Sequence, residues 1–279
     1  MRLSSYSLAL LVIGSVGSAV AMPIFAGKQS AATLPSFDVA SVKPDDPNDR
    51  IRGDRQLDTG GRIVYRAFTL RYLIIEAYGL QPYQLSGGPS WVDNELFNIE
   101  AKPPASSGAA KVHPTDPRTT PPPDELLMLR SLLNSRFQLE LSKEQRKGTV
   151  YSLEPVTSGI NRDQFHAPAH PDERPLVTLG REEPPTQEGV NYDYEGHNAT
   201  MALLAERLEQ HLSAPVKDNT GLAGNFDFVL RYVNDESLVG AKYPSLPSAL
   251  QEQLGLRLKA GKGAIDHYVI IRVERPSPN

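Results

Sequence analysis

Apolar residues along the chain switch between a spacing of two and a spacing near three and a half, and each switch marks a new element. Phe37-Asp38-Val39-Ala40-Ser41-Val42 alternates apolar and polar, which predicts a half-buried strand; Arg62-Ile63-Val64-Tyr65-Arg66 predicts another. Thr69 is then placed as the N-cap of a helix with Leu70, Leu73, Ile74, Ala77 and Tyr78 on one face and Gly79 as its stop. Tyr83 to Leu85 and Leu96 to Ala101 read as strands on either side of a Gly87-Gly88-Pro89 turn and Trp91. A second helix is predicted from Asp124, with Leu126, Leu129, Leu132, Leu133 and Phe137 on its buried face. Strands near Phe137 to Leu141 and Thr149 to Val156 complete this half, with a short polar turn between them.

The rest of the chain repeats this order. Val190 to Tyr194 is a strand, and Thr200 caps a helix bearing Met201, Leu203, Leu204, Leu208 and Leu212. Strands follow around Val216 and at Phe226 to Val233, then a helix over Ser245 to Leu254 and strands at Leu256 to Lys259 and Tyr268 to Val273. Leu133, Phe137, Leu139 and Leu141 share their spacing with Leu250, Leu254, Leu256 and Leu258. In both places a helix runs directly into a strand. The expectation is an α+β fold of two related lobes, each a small sheet with two helices, built as a duplicated β-α-β-β-α-β-β unit.

Composition then sets the boundaries. Met1-Arg2, an apolar run from Leu8 to Val20 and small residues before Met22 have the three parts of a secretory signal peptide over residues 1–21. The run is short for a membrane span of about 20 apolar residues. Residues 22–36 are expected to be a flexible leader and 37–156 the first lobe. That lobe is interrupted by a proline-rich insert at 103–123, which holds seven prolines. Residues 157–188 are expected to be a proline-rich linker, and 189–279 the second lobe. The chain has no cysteine, so thiolate metal sites and disulfides are excluded. A net charge of −4 with interspersed signs offers no basic face for nucleic acid.

Candidate chemistry is thin. No Gly-x-Ser-x-Gly occurs, and Ser86 lies in a predicted hairpin turn. Asp218-Asn219-Thr220-Gly221 has the outline of an aspartic protease motif, but Asn219 interrupts it and no second copy exists, so it reads as a turn. His166 and His170, with Asp163, Asp172 and Glu173, supply nitrogen and oxygen ligands. Pro168 prevents the helical face that pairs histidines on zinc, so this segment and the acidic turn at Asp45, Asp46, Asn48 and Asp49 read as solvated loops. No cofactor, metal or catalytic residue is assigned. The binding candidates are Trp91, the sole tryptophan, and the adjoining Gly87 and Gly88; here an aromatic face could stack on a sugar or peptide, while the other reading of Trp91 is a core anchor that buries a large apolar area.

Several ordered stretches resemble one family. They are Phe37-Asp38-Val39-Ala40-Ser41-Val42-Lys43-Pro44, Ala77-Tyr78-Gly79-Leu80, Gly87-Gly88-Pro89-Ser90-Trp91-Val92, Arg136-Phe137, Asp218-Asn219-Thr220-Gly221-Leu222, Gln253-Leu254-Gly255-Leu256 and Val273-Glu274-Arg275-Pro276-Ser277. Together they are similar to a large family of exported proteins of unknown function expanded in soil acidobacteria. The resemblance implies a bacterial exported protein; some relatives are joined to membrane metallopeptidases of the antibiotic-sensor type. Two departures stand out: Ser142 where relatives often carry His, and Ile271-Arg272 where they often carry Asp-His. The repeat is loosely similar to the N-terminal signalling domains of secretins and TonB-dependent receptors. The resulting expectation is a non-catalytic binding module of the cell envelope, periplasmic or extracellular. Its partner would be an envelope protein or peptide that it meets through a sheet edge or loop. The alternative is a hydrolase of envelope or extracellular polymers.

Overall fold

The computed structural model describes residues 34–46, 48, 52–57, 61–107, 123–181, 191–233 and 242–276. They form an α+β structure with strands β1 (Val39–Pro44), β2 (Asp54–Leu57) and β3 (Ile63–Thr69), helix α1 (Leu70–Tyr78), β4 (Leu85–Gly87), the short α2 (Trp91–Asn94), β5 (Leu96–Lys102), α3 (Pro123–Arg136) and β6 (Glu140–Pro155). Then come β7 (Leu176–Arg181), β8 (Asn191–Ala199), α4 (Met201–Leu212), β9 (Val216–Asp218), β10 (Phe226–Val233), α5 (Leu246–Ala249), which continues as a π-turn over Leu250–Leu254, and β11 (Leu256–Arg272). The signal peptide, most of the leader, most of the 103–123 insert and the end of the linker lie outside the described residues. No described helix is long and apolar enough to cross a membrane.

The caps predicted from sequence are in place. Thr69 Oγ1 accepts from the Tyr72 N–H, and Gly79 closes α1 in the left-handed region at φ 62°. Thr200 Oγ1 accepts from the Leu203 N–H at the start of α4. Each cap satisfies a helix-end group that would otherwise lack a partner.

The strands form three sheets, ordered β1-β5-β3-β2, β10-β8-β7 and β4-β11-β6-β9. The first two are antiparallel, and each lies over its own apolar core. One core gathers Tyr65, Leu73, Phe97, Leu129, Phe137 and their neighbours; the other gathers Tyr194, Leu204, Leu208, Phe228, Leu250 and Leu256. The third sheet is built by both halves of the chain. β6 and β11 each run on where a polar turn had been expected. They pair antiparallel from Glu140↔Arg272 to Pro155↔Leu256. β6 places Leu141, with Leu139 just before it, at the first core and Leu153 in the second. β11 runs the opposite way, with Leu256 in the second core and Ile270 in the first. β4 joins β11 in parallel at Tyr268–Ile270, and β9 joins β6 in parallel at Tyr151–Leu153. Between the cores the ribbon is largely exposed, so its residues are polar and the strand alternation disappears from the sequence. That is why a continuous strand there resembled a turn.

The 157–188 linker also needs correction. Leu176–Arg181 is strand β7, paired along its length with β8. Upstream, Val156 N–H donates to the Gly255 carbonyl, Asn161 N–H to Leu254, and Asn161 Nδ2 to Gln253, which stitches this segment to the end of the π-turn. Gly255 has φ 67°, and a β-carbon there would lie 2.5 Å from the Gly159 carbonyl oxygen; only glycine fits.

One buried polar cluster anchors α3 to the first sheet. The Glu125 side chain is 1% exposed and takes a two-point contact from Arg55, with Nε to Oε1 at 2.9 Å and Nη2 to Oε2 at 2.5 Å. Tyr65 Oη donates to Glu125 Oε1 at 2.6 Å. Burial, followed by the Glu125 charge, pushes the Tyr65 phenol well above its ordinary range. Glu125→Ala strands the Arg55 cation in this site, and we expect a loss of about 3–5 kcal/mol in urea unfolding.

Because both cores share β6 and β11, they should melt together. Trp91, the sole tryptophan, reports only on the first core. Leu208→Ala in the second core is expected to cost about 2–5 kcal/mol and to lower the Trp91 fluorescence midpoint in step with far-ultraviolet circular dichroism. An unmoved fluorescence midpoint would show that the ribbon does not couple the cores.

Candidate functional site

The residues singled out in the sequence do not form an open ligand platform. Trp91 opens α2 and is 8% exposed. Its ring meets Phe97 edge-on at 6.2 Å, and the Arg275 guanidinium lies 5.0 Å from the ring centroid. Of the two readings of Trp91, the structure shows the core position. The indole anchors the first core, where its large apolar area is withdrawn from water, and its remaining approach is covered by a cation. Gly87 and Gly88 have φ of 81° and 84° and pack against Ile270 of β11. A β-carbon on Gly87 would sit 3.0 Å from the Ile270 carbonyl oxygen, so these glycines admit a neighbouring strand and not a ligand.

The same turn contains a pair that sequence inspection dismissed. Ser86 Oγ lies 2.7 Å from Nε2 of His267 on β11, and His267 is 6% exposed. The signal was invisible because 181 residues separate the two. The pair has a nucleophile and a base in hydrogen-bond reach. Among the described residues, however, no carboxylate hydrogen-bonds the other ring nitrogen to orient it. Nearby, Gln84 Nε2 donates to the Asp266 carbonyl and Tyr83 Oη donates to Glu209 of α4 at 2.6 Å. Ser86 and His267 thus belong to a polar seam that ties β4 to β11 and the first half of the chain to α4.

Two concave surfaces lie in the second half. The first is a cleft of about 590 Å³ lined by His166, His170, His197, Glu173, Arg231 and Phe228, among others. Its rim is the predicted linker loop, held by two side chains. The Asp227 carboxylate accepts the backbone N–H of Ala169 at 2.8 Å and of Asn198 at 2.7 Å. Asn198 Nδ2 in turn donates to the carbonyls of Pro171 and Glu173. Asn198 itself has a φ of 49°, one of few non-glycine residues there. The three imidazoles share the cleft without converging: no group of three or more metal-binding side chains comes together among the described residues. His170 and Glu173 approach only to 3.9 Å, both mostly exposed.

The second surface is a groove of about 530 Å³ beside β7, between that strand and α4. Its walls are Leu176, Leu179 and Tyr194 with Arg174, Arg207 and His211. Tyr194 stacks on Tyr232 at 5.5 Å, and His211 meets both rings edge-on, giving the groove a fixed aromatic wall. Asp218 Oδ1 accepts from the N–H and Oγ1 of Thr220, so the Asp218-Asn219-Thr220-Gly221 stretch is a turn. Asp45 is taken by Arg52 and Asn98; Asp49 lies outside the described residues.

The pinned loop carries a pH dependence. The backbone N–H groups of Ala169 and then Asn198 hold the Asp227 carboxyl below its ordinary range. The contribution of this carboxylate is complete above the unfolded value of about 3.9 and is lost as pH falls through the lower folded value. Asp227→Ala is expected to free the loop at neutral pH and to speed cleavage after Glu173 by a glutamate-specific protease severalfold. Equal cleavage rates in the two proteins would refute the pinning role.

No curated protein and no solved structure matches this chain. The model of a family described as protein of unknown function (DUF3738) matches residues 71–273, from α1 to just beyond the end of β11. That stretch is well over half the chain and contains the shared ribbon, the seam and both concave surfaces, so the protein belongs to the DUF3738 family.

Proposed function

We propose that the protein is an exported bacterial binding module of the cell envelope, non-catalytic, acting in the periplasm or outside the cell. The observation that carries this reading is the groove beside β7. There an edge strand with two exposed leucines adjoins a wall with no carboxylate, a composition suited to taking up a peptide strand. Export is supported by the cationic, apolar and small-residue succession over residues 1–21. The order strand-helix-strand-strand-helix-strand runs from β3 to β6 and again from β8 to β11. It supports reading the chain as two copies of one unit that have exchanged the ends of their last strands.

A second reading has one observation in its favour. The Ser86–His267 pair is what a serine hydrolase acting on envelope polymers would need. Against it stands the lack, among the described residues, of a carboxylate hydrogen-bonded to the other His267 ring nitrogen. Two experiments separate the readings. Cell fractionation with N-terminal sequencing should find the mature chain outside the cytoplasm, beginning at Met22; a cytoplasmic full-length chain would sink the export reading. The mature chain used as bait on envelopes of the source bacterium should recover a specific partner and should remain unlabelled by a fluorophosphonate probe. Labelling that disappears in Ser86→Ala would establish the hydrolase instead.

A further inference from the structure

The sheet edges of this protein are unequal. On the outer side of β10, the Gln253 amide donates to the Arg231 carbonyl at 2.7 Å and accepts the Arg231 N–H at 3.0 Å, while Val233 pairs with Ser245. On β4, Arg71 reaches the carbonyls of Leu85 and Gly87. On β9, Glu209 accepts the Val216 N–H, and on β1, Arg136 donates to the Ala40 carbonyl. These are the ways a protein blunts an edge that would otherwise take up a foreign strand. β7 is treated differently. Its only such contact among the described residues is Arg207 Nε to the Val177 carbonyl at 3.0 Å. That carbonyl points out of the ladder, and by the alternation of an antiparallel pair the N–H and C=O of Leu179 point the same way.

The side chains along this edge are equally open. Leu176 is 39% and Leu179 53% exposed, on a strand where apolar residues would otherwise face a neighbour. The ionisable groups lining the groove are two guanidiniums and an imidazole, with no carboxylate, in a chain of net charge −4. Arg174 makes no hydrogen bond or ion pair with the described residues. Arg207 uses Nε on Val177 and Nη1 on Gln210, so it is fixed in place with one nitrogen left over.

We infer that β7 accepts an extended peptide segment of another protein, with acidic and apolar residues in alternation, as a fourth strand of the β10-β8-β7 sheet. Main-chain hydrogen bonds to the Val177 N–H and to both backbone groups of Leu179 hold it. Every second side chain turns toward α4, where a carboxylate meets Arg207. The intervening apolar side chains lie over Leu176. This inference rests on the binding reading above and names its surface and its ligand class.

A fluorescein-labelled hexapeptide of alternating glutamate and valine is titrated with the mature chain and followed by anisotropy. Saturable binding is expected, weakening as salt is raised, and an alternating lysine–valine peptide should not bind. Leu179→Pro removes an outward N–H without touching the β7–β8 ladder; it should weaken binding by about tenfold or more with unchanged melting. Arg174→Glu on the exposed rim should do the same if the proline variant fails to fold. Absence of binding, or equal binding by both variants, overturns the inference. So does sedimentation showing a dimer that Leu179→Pro dissolves, since the occupant is then a second copy. If the peptide fails while wild type and Leu179→Pro recover the same envelope partner, only the β7 site falls; if no partner is recovered either, the binding reading falls with it.

Discussion

The antiparallel ladder between β6 and β11 is the constraint on which the rest of this structure depends. Each strand is rooted in one core at one end and in the other core at the opposite end. Neither core can close without a strand contributed by the half of the chain that mainly builds the other. The short strands β4 and β9 add to the ribbon in parallel, which is possible only because the strand they join comes from far along the chain. The seam of Ser86, His267, Tyr83 and Glu209 follows from the same crossing, since it forms where the first half's turn meets the second half's strand and helix.

Around that frame, irregular segments are held by single polar side chains with two backbone partners each. Asp227 holds Ala169 and Asn198; Asn198 holds Pro171 and Glu173; Gln253 holds both backbone groups of Arg231. A carboxylate or amide in such a position does what a strand partner would do, at the cost of one side chain instead of a whole segment. It also makes a loop rich in proline behave as structure. These devices are spread over the edges and loops but leave the outer side of β7 with a single capped carbonyl, and the groove there combines apolar exposure with two arginines and no lining carboxylate.

The buried Arg55–Glu125–Tyr65 cluster and the Ser86–His267 pair illustrate how similar geometry can serve different ends. In both, charged or polar groups meet at hydrogen-bond distance away from bulk water. The first fixes the start of α3 against β2 and β3, where a carboxylate satisfied three ways can be buried without penalty beyond its desolvation. The second joins two strands and offers no oriented third group.

Local periodicity sufficed for α1, α3 and α4 and for the caps of α1 and α4, while the short α2 at Trp91–Asn94 was read as a loop. Thr69, Gly79 and Thr200 occupy the roles assigned to them, and the buried faces of α1 and α4 are the ones the spacing picks out. Strands lying against a core were legible for the same reason, since alternation follows directly from one buried face. The exposed middle of the β6–β11 ribbon carried no such pattern, so a single long strand looked like two strands and a turn. β7 was hidden in a proline-rich stretch because its outer face is open and its leucines have no inner partner to repeat against. Trp91 could be recognised as important, but whether its ring faced water or the core depended on Phe97 and Arg275. From sequence alone came the fold class, the family resemblance, helices α1, α3 and α4 and the absence of thiol chemistry. Tertiary structure decided the β6–β11 ladder, the pinned loop, the Ser86–His267 contact and the open edge, because each depends on residues far apart in the chain whose meeting no local period records.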